Sequence, residues 1–355
     1  MGKFILVINP GSTSTKIAIF EDELMIYDYK INHPTELIQQ FPTIASQFKF
    51  RRDLILEELK KSNFDLKKLS AICGRGGMLR SLTSGTYIVN DTMVKDINEA
   101  KRGEHASNLG ALIALDIAND YNIPAYIVDP VAVDEMEDIA RISGMAEIER
   151  SCIFHALNHK AIARKAAKDK GKNYQDLNLI VAHLGGGVSV AVHKLGRVID
   201  VNNALDGDGP MSPERSGTVP MGPLYKMCFS GKYTLQDIIR MNYGKGGLAS
   251  YLGTNDASEV AKRIKEGDKK AKLIYDAMIY QIAKEIGSCS TVLYGDIDYI
   301  VLTGGLAYEP YAVENITKRV SFLAEVLVYP GENELLSLAQ GALRVLNGEE
   351  QAKTY

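Results

Sequence analysis

Residues 4–20 read FILVINPGSTSTKIAIF, and the reading of this stretch decides the fold. An apolar run from Ile5 to Ile8 meets a polar turn, Asn9 to Thr15, and a second apolar run extends from Ile17 to Phe20. The pattern predicts two strands joined by a tight hairpin turn. Pro10 presets φ at the turn, and Gly11 tolerates positive φ. Ser12, Thr13, Ser14 and Thr15 crowd hydroxyls and backbone N–H groups at the tip, and Lys16 adds a cation. Such a tip can hold phosphate oxygens by many short hydrogen bonds. A surface hairpin with a polar turn has the same composition.

A second stretch weighs against the plain surface hairpin. Residues 179–193, LIVAHLGGGVSVAVH, repeat the plan: an apolar strand, a turn at Gly185, Gly186 and Gly187, then an alternating strand. Two further pairs follow in the same order. LSAICGRGG at 69–77 resembles DYIVLTGG at 298–305, each a short buried strand running into a glycine pair. PAYIVDP at 124–130 resembles EVLVYPG at 325–331. The repeated order predicts an internal duplication giving two similar α/β domains. A nucleotide is then expected between them, with one hairpin turn from each half on its phosphates.

Composition narrows the function classes. A chain of 355 residues suits two domains with two cores. The net charge of −3 leaves no nucleic-acid or anionic-membrane footprint. No apolar run approaches the roughly 20 residues that span a bilayer, and the N-terminus enters a strand without a signal-like core. Cys73, Cys152, Cys228 and Cys289 are scattered without a CxxC pair, so buried reduced thiols in a cytoplasmic protein are expected.

Several residues carry candidate chemistry. Residues 34–61 read as helical, with Pro42 interrupting the pattern. Arg75 sits among glycines on a turn after a strand, open to a ligand or simply to solvent. Asp129 follows the strand 125–128, at the end where open α/β sheets place their ligands, although Asp-Pro is also a common turn opener. His155 and His159 are four apart, but Ala156 stands where a zincin needs glutamate, so this pair is not read as a metal site. The loop 203–217, NALDGDGPMSPERSG, holds one arginine, Arg215. Its length suggests function, and its DGDG lacks the calcium-loop spacing that ends in glutamate. Gly244 to Gly247 lacks P-loop spacing. Glu334 opens the last predicted helix, where its charge is favoured.

The duplicated plan resembles the acetate and sugar kinase, Hsc70 and actin superfamily, and the wording of the motifs resembles its acetate and butyrate kinase family over most of the chain. Asn9 in INPGSTSTK stands where sugar kinases and Hsp70-like ATPases carry aspartate. FHALNH at 154–159 is similar to the family's FHGTSH, and AHLGGG at 182–187 to its HLGNG-like turn. CGRGG at 73–77 and DGDGPMSPERSG at 206–217 are nearer to butyrate kinases than to acetate kinases.

The resemblance implies a duplicated two-domain actin-like ATPase fold of ribonuclease H-like α/β domains, with the active site in the interdomain cleft. Residues 1–150 would form the N-terminal domain, completed by a C-terminal helix at about 334–355, and residues 151–333 the nucleotide-binding domain. It implies reversible phosphoryl transfer from ATP to a short fatty acid, butyrate or a branched acid such as isobutyrate, with Mg²⁺. Acetate or propionate is the alternative acceptor, and an ATP-switched actin- or Hsp70-like interaction protein is the alternative of another class. The catalytic residues it implies are Arg75, Asp129, His155 and Arg215. Those meeting ATP are Asn9, Ser12, Ser14, Lys16, His183, Gly185, Gly186, Gly187, Gly304 and Gly305. Asp129 and Glu334 are implied at the metal. His159 is expected to be structural. The expected assembly is a homo-oligomer.

Overall fold

The computed structural model describes residues 2–355. It holds two compact units, residues 2–134 with 333–355, and residues 135–332. The strands are β1 (Phe4–Pro10), β2 (Ser14–Glu21), β3 (Leu24–Asn32), β4 (Leu69–Gly74), β5 (Thr86–Ile88), β6 (Ala125–Val128), β7 (Ile142–Met145), β8 (Ile148–Glu149), β9 (Asn178–Leu184), β10 (Val188–Lys194), β11 (Arg197–Val201), β12 (Tyr299–Gly304), β13 (Glu325–Pro330) and β14 (Lys353–Thr354).

The first unit is built on a seven-stranded sheet in the order β14-β5-β6-β4-β1-β2-β3. β1 pairs antiparallel with β2 and parallel with β4, and β4 pairs parallel with β6. Ile5, Leu6, Val7 and Ile8 are all buried because β1 is central and covered on both faces. Fully burying each such side chain is worth about 1.5–3 kcal/mol. Leu6, Ile8, Ile17, Ile19 and Ile72 form a core with helix Asn108–Tyr121 and with Ile55 and Leu59 of helix Phe48–Lys61. Helix Glu334–Leu346 packs on β1, β4 and β6. β3 is the exposed edge, and its apolar side chains Leu24, Met25, Ile26 and Tyr29 face solvent.

The second unit repeats the centre of this plan. Its five-stranded sheet runs β11-β10-β9-β12-β13. Again the hairpin β9–β10 is antiparallel, and β9–β12 and β12–β13 are parallel. β9 alternates between two cores, as a pleated strand must. Leu179 and Val181 meet Ala163, Ala166 and Ala167 of helix Ala156–Asp169. Ile180, Ala182 and Leu184 meet Met278, Ile279 and Ile282 of helix Lys269–Val292. The sequence pairs 69–77 with 298–305 and 124–130 with 325–331 thus occupy corresponding sheet positions, as β4 with β12 and β6 with β13.

Four details differ from the sequence reading. The helical stretch 34–61 breaks into Thr35–Ile38 and Phe48–Lys61, with Pro42 in the turns between. Gly11 does not use a positive φ; its N–H donates to the Ser14 carbonyl at 2.7 Å, which closes the turn. Cys228 is exposed, unlike the other three free thiols, because helix Met221–Cys228 buries none of its residues. The first unit ends at 134 and not near 150, since Glu135 is tied into the second: its Oε2 accepts from Lys160 Nζ at 2.6 Å and from Val198 N at 2.9 Å. Among the described residues no helix is long and apolar enough to cross a membrane.

Candidate active site

In the first unit, the ends of β1 and β4 and the start of the last helix bring three polar side chains together. Asn9 Nδ2 donates to Glu334 Oε2 at 2.8 Å, and Arg75 Nη1 lies 3.4 Å from Asn9 Oδ1 and forms an ion pair with Glu334 Oε1. The Arg75 N–H donates to the Ile8 carbonyl at 2.9 Å, fixing the loop backbone to β1. Asn333 caps the helix by accepting from Leu336 N at 3.4 Å, so Glu334 occupies the first turn, where the helix dipole favours a carboxylate. Arg75 keeps about a third of its side chain exposed, 34%, and Glu334 keeps 22%. The arginine is held in place with part of its donor fork still facing solvent.

Asp129 is almost fully buried and adopts a φ of +36°. Aspartate tolerates this left-handed region better than most side chains. Its Oδ1 accepts from Gly85 N at 2.7 Å, while its own N–H donates to the Gly85 carbonyl at 3.1 Å. A strained carboxylate at a strand end is a recurring mark of functional positions.

The first hairpin turn is supported from beneath. Arg51, fully buried in helix Phe48–Lys61, donates from Nη1 to the Gly11 carbonyl at 2.7 Å and from Nη2 to the Ser12 carbonyl at 3.0 Å. It also reaches the Ser14 carbonyl and Thr15 Oγ1, and Gln47 Oε1 holds the guanidinium at 2.8 and 3.0 Å. Burial pulls Arg51 down to about 10, which still leaves it charged at neutral pH. Ser12 and Lys16 are exposed, Ser14 is half-buried, and Thr15 turns into the core to hydrogen-bond His33 Nε2 at 2.9 Å.

In the second unit, His155 stands at the N-terminus of helix Ala156–Asp169. Its ring stacks on His183 with centroids 3.8 Å apart, and its Nδ1 lies 2.9 Å from Ser189 Oγ. His183 Nδ1 donates to Asn158 Oδ1 at 2.8 Å, and its Nε2 lies 3.0 Å from Glu332 Oε1 without hydrogen-bond alignment. None of Gly185, Gly186 and Gly187 has a positive φ. Their use is close approach: a Cβ on Gly187 would collide with Arg215 Nη1. Arg215 Nη1 donates to the Ala204 carbonyl at 2.6 Å, its guanidinium lies 5.0 Å from the Tyr243 ring centre, and its Nε is buried without a partner. Ser212 Oγ, in the same loop, donates to the Gly186 carbonyl at 2.5 Å. Gly246 and Gly247 pack against the backbone at Ser216 and Ser212, so this turn braces the Arg215 loop. At the end of β12, Gly304 takes a φ of +87° against Leu184 and exchanges two backbone hydrogen bonds with Gly331, while the position a Gly305 Cβ would take is open.

These arrangements can be set beside known proteins. The acetokinase family profile matches residues 146–329. Butyrate kinase 1 of Clostridium acetobutylicum is 56% identical over 351 residues, covering 99% of each chain, and a probable butyrate kinase of Clostridium botulinum is 55% identical over the same length. The chain belongs to the acetokinase family. Among solved structures, acetate kinase of Porphyromonas gingivalis matches this chain with a TM-score of 0.79 at 20% identity, over 97% of this chain and 100% of the other. A propionate kinase of Francisella tularensis matches with a TM-score of 0.70 at 22% identity, over 96% and 98%. At such identities the likeness is one of fold, and it is the two-domain α/β fold expected from the duplication.

The geometry bears on metal binding. Among the described residues no cluster of three or more His, Cys, Asp or Glu side chains is arranged to cage a metal ion. The two carboxylates expected at a metal, Asp129 and Glu334, each accept hydrogen bonds from protein groups. Mg²⁺ needs no such cage, since it is commonly held by one or two carboxylates, water and substrate phosphates.

Sequence reasoning missed Arg51, Ser189, His193 and Tyr174. Arg51 carries a signal in retrospect: it lies four and eight residues before Ile55 and Leu59, on the buried stripe of its helix. Ser189 and His193 alternate on a strand whose apolar neighbours are buried, which points both to one covered face.

Proposed function

We propose that this chain reversibly transfers the γ-phosphoryl group of ATP to the carboxylate of butyrate, or of a branched short-chain acid such as isobutyrate, giving the acyl phosphate and ADP. The observation that carries this reading is the full-length 56% identity to a butyrate kinase. The chemistry agrees with it. A carboxylate is ionised near neutral pH, since carboxyl groups titrate at roughly 4, so no strong base is required. The obstacle is charge: an anion must meet a polyanionic phosphate, and positioning with neutralisation does the work.

In this reading Arg75, steadied by Glu334 and Asn9, takes the acceptor carboxylate with its remaining donors. Arg215 and His155 place donors on the equatorial oxygens of the phosphoryl group in flight. The turn at Ser12, Ser14 and Lys16 and the turn at Gly185 to Gly187 meet the nucleotide phosphates, with His183 beside them, and Gly304 and Gly305 lie against adenosine. Asp129 and Glu334 would be the protein carboxylates that hold Mg²⁺, and the ion would supply charge neutralisation at the phosphates. Asn9 offers an amide donor where a carboxylate would repel the anionic acceptor. A homo-oligomer fits the exposed apolar side chains Met221, Phe229 and Leu235, and light scattering on the purified protein reads its mass.

The test is a hydroxamate assay for acyl phosphate with acetate, propionate, butyrate and isobutyrate. Each methylene buried in an apolar pocket is worth about 0.8 kcal/mol, so the four-carbon acids should exceed acetate in kcat/KM by roughly ten-fold. Equal or better turnover of acetate would overturn the acyl assignment while leaving carboxylate phosphorylation standing.

A further inference from the structure

A hydrogen-bonded chain leads inward from His155. Its Nδ1 meets Ser189 Oγ at 2.9 Å, and the same hydroxyl meets His159 Nε2 at 2.8 Å. His159 Nδ1 lies 3.3 Å from His193 Nε2, and His193 Nδ1 lies 2.7 Å from the Tyr174 hydroxyl. Ser189, His159 and His193 have no solvent exposure, and Tyr174 has 4%. Burial holds both His159 and His193 well below the ordinary imidazole range, so both are neutral. A neutral imidazole has one N–H and one lone-pair nitrogen. The direction of one link therefore sets the direction of the next through His193 and His159, and a buried Ser189 hydroxyl that accepts from one ring gives its proton to the other, so the chain has two polarities.

The Tyr174 end decides between them. A phenol O–H is a better donor than an imidazole N–H, and an imidazole lone pair is a better acceptor than a phenol oxygen. Two cations strengthen the donor further by drawing on its ring: Lys160 Nζ lies 5.7 Å and Arg164 Cζ 5.8 Å from the ring centre. Tyr174 then donates to His193 Nδ1, His193 Nε2–H to His159 Nδ1, and His159 Nε2–H to Ser189 Oγ. The Ser189 hydroxyl in turn donates to His155 Nδ1. Every donor in the series has one acceptor, and the last imidazole is left carrying its proton on Nε2. This is the logic by which a partner on one ring nitrogen sets the state of the other.

We propose that Tyr174, His193, His159 and Ser189 form a positioning chain that fixes His155 as its Nε2–H tautomer, so that a hydrogen-bond donor and not a lone pair is presented to the phosphoryl oxygens. The use of that donor rests on the function proposed above; the tautomer itself does not. The four residues are positioning residues, and His155 is the one member of the chain that meets the phosphoryl group in the function proposed above.

The experiment is ¹⁵N NMR of ring-labelled histidines in the full-length protein, with kinetics of Tyr174→Phe and Ser189→Ala. In the unmutated protein the His155 Nε2 signal should be of the protonated kind and Nδ1 of the lone-pair kind. Tyr174→Phe keeps the ring and its packing but removes the terminal donor. It should mix the two tautomers at His193, His159 and His155 and lower kcat roughly three- to ten-fold, with the KM for ATP unchanged. Ser189→Ala, which cuts the chain beside His155, should mix the tautomer at His155 alone. A lone-pair signal from His155 Nε2 in the unmutated protein overturns the proposal, as does a fall in kcat with the His155 spectrum unaltered. If tautomers mix in both variants but kcat holds, the chain is as proposed, and the assignment of His155 to the phosphoryl group is what fails.

Discussion

The two hairpin turns sit on matching strands and are held by opposite means. The turn after β1 rests on a buried cation: Arg51 collects the carbonyls of Gly11, Ser12 and Ser14 from below. The turn after β9 has no such support and is held from the side, where Ser212 reaches the Gly186 carbonyl and Arg215 crosses Gly187. A carbonyl-reading arginine turns these carbonyls inward and leaves Ser12 and Thr13 exposed at the tip. Glycines let a neighbouring side chain lie flat on the turn. The duplication thus preserved the strand scaffold and not the chemistry at its tips. The first turn is braced from within its own unit by one buried side chain, and the second is packed against the 203–217 loop.

The largest expected effect lies in the second turn. Arg215→Ala should lower kcat by about 10³, the scale of arginines that stabilise phosphoryl transfer. It should cost only about 1 kcal/mol in stability, for the lost bond to the Ala204 carbonyl. Steady-state kinetics beside a melting curve check it. Near-native kcat, or activity lost only through unfolding, would remove Arg215 from the site.

The first turn should fail in the other currency. Arg51→Met leaves several inward carbonyls and Gln47 without their donor, and should destabilise the protein by about 3 kcal/mol. The KM for ATP should rise roughly ten-fold, the equivalent of about 1.4 kcal/mol of lost preorganisation. Lysine should rescue little, because a point charge cannot span separate carbonyls as the planar fork does. An unchanged urea midpoint would show that the turn stands without its brace.

This contrast also shows what was legible from sequence. The duplicated succession of strands was readable because an apolar run ending in a glycine turn is a local signal and occurred twice along the chain; the order of the strands within each sheet came from the structure. Arg75, Glu334 and Asn9 were each readable as ends of elements, but not their mutual bonding, since Arg75 and Glu334 lie 259 residues apart in the chain. Arg51 was hidden among Lys49, Arg52 and Asp53, because a buried arginine and a solvated one share one letter. Tyr174 was hidden by its place in a connecting 3₁₀ turn, where no periodicity reports burial.

Arg75 extends the comparison to the other arginine of the proposed site. Arg75→Ala should raise the KM for butyrate roughly ten-fold or somewhat more, the worth of a charge-assisted hydrogen bond of about 1.5–3 kcal/mol. ADP affinity should hold, because in the proposed function the two turns and not Arg75 meet the nucleotide. A variant that lost ADP binding instead would place Arg75 on the phosphates and not on the acid.

The smallest effect tests whether the first turn is a single braced unit. His33 is buried, hydrogen-bonded through Thr15 to the Arg51 network, and held down to about 4 by burial first and the neighbouring Arg51 charge second. Its folded value is below the ordinary 6.5, so the unfolded chain takes up a proton that the folded one refuses. Stability is therefore complete above about pH 6.5 and falls with pH until about 4. At pH 5.5 the loss from this one ring is about 1.4 kcal/mol. His159 and His193 lose stability in the same direction, so the readout must be a difference. Urea unfolding of the unmutated protein and of His33→Asn, at pH 7.5 and 5.5, isolates it. Asparagine can still bond Thr15 but does not titrate, and its loss between the two pH values should be smaller by about 1.4 kcal/mol. Equal losses in both proteins would mean that His33 protonates freely in the fold, and that the space beneath the first turn is open enough to hydrate a second cation beside Arg51.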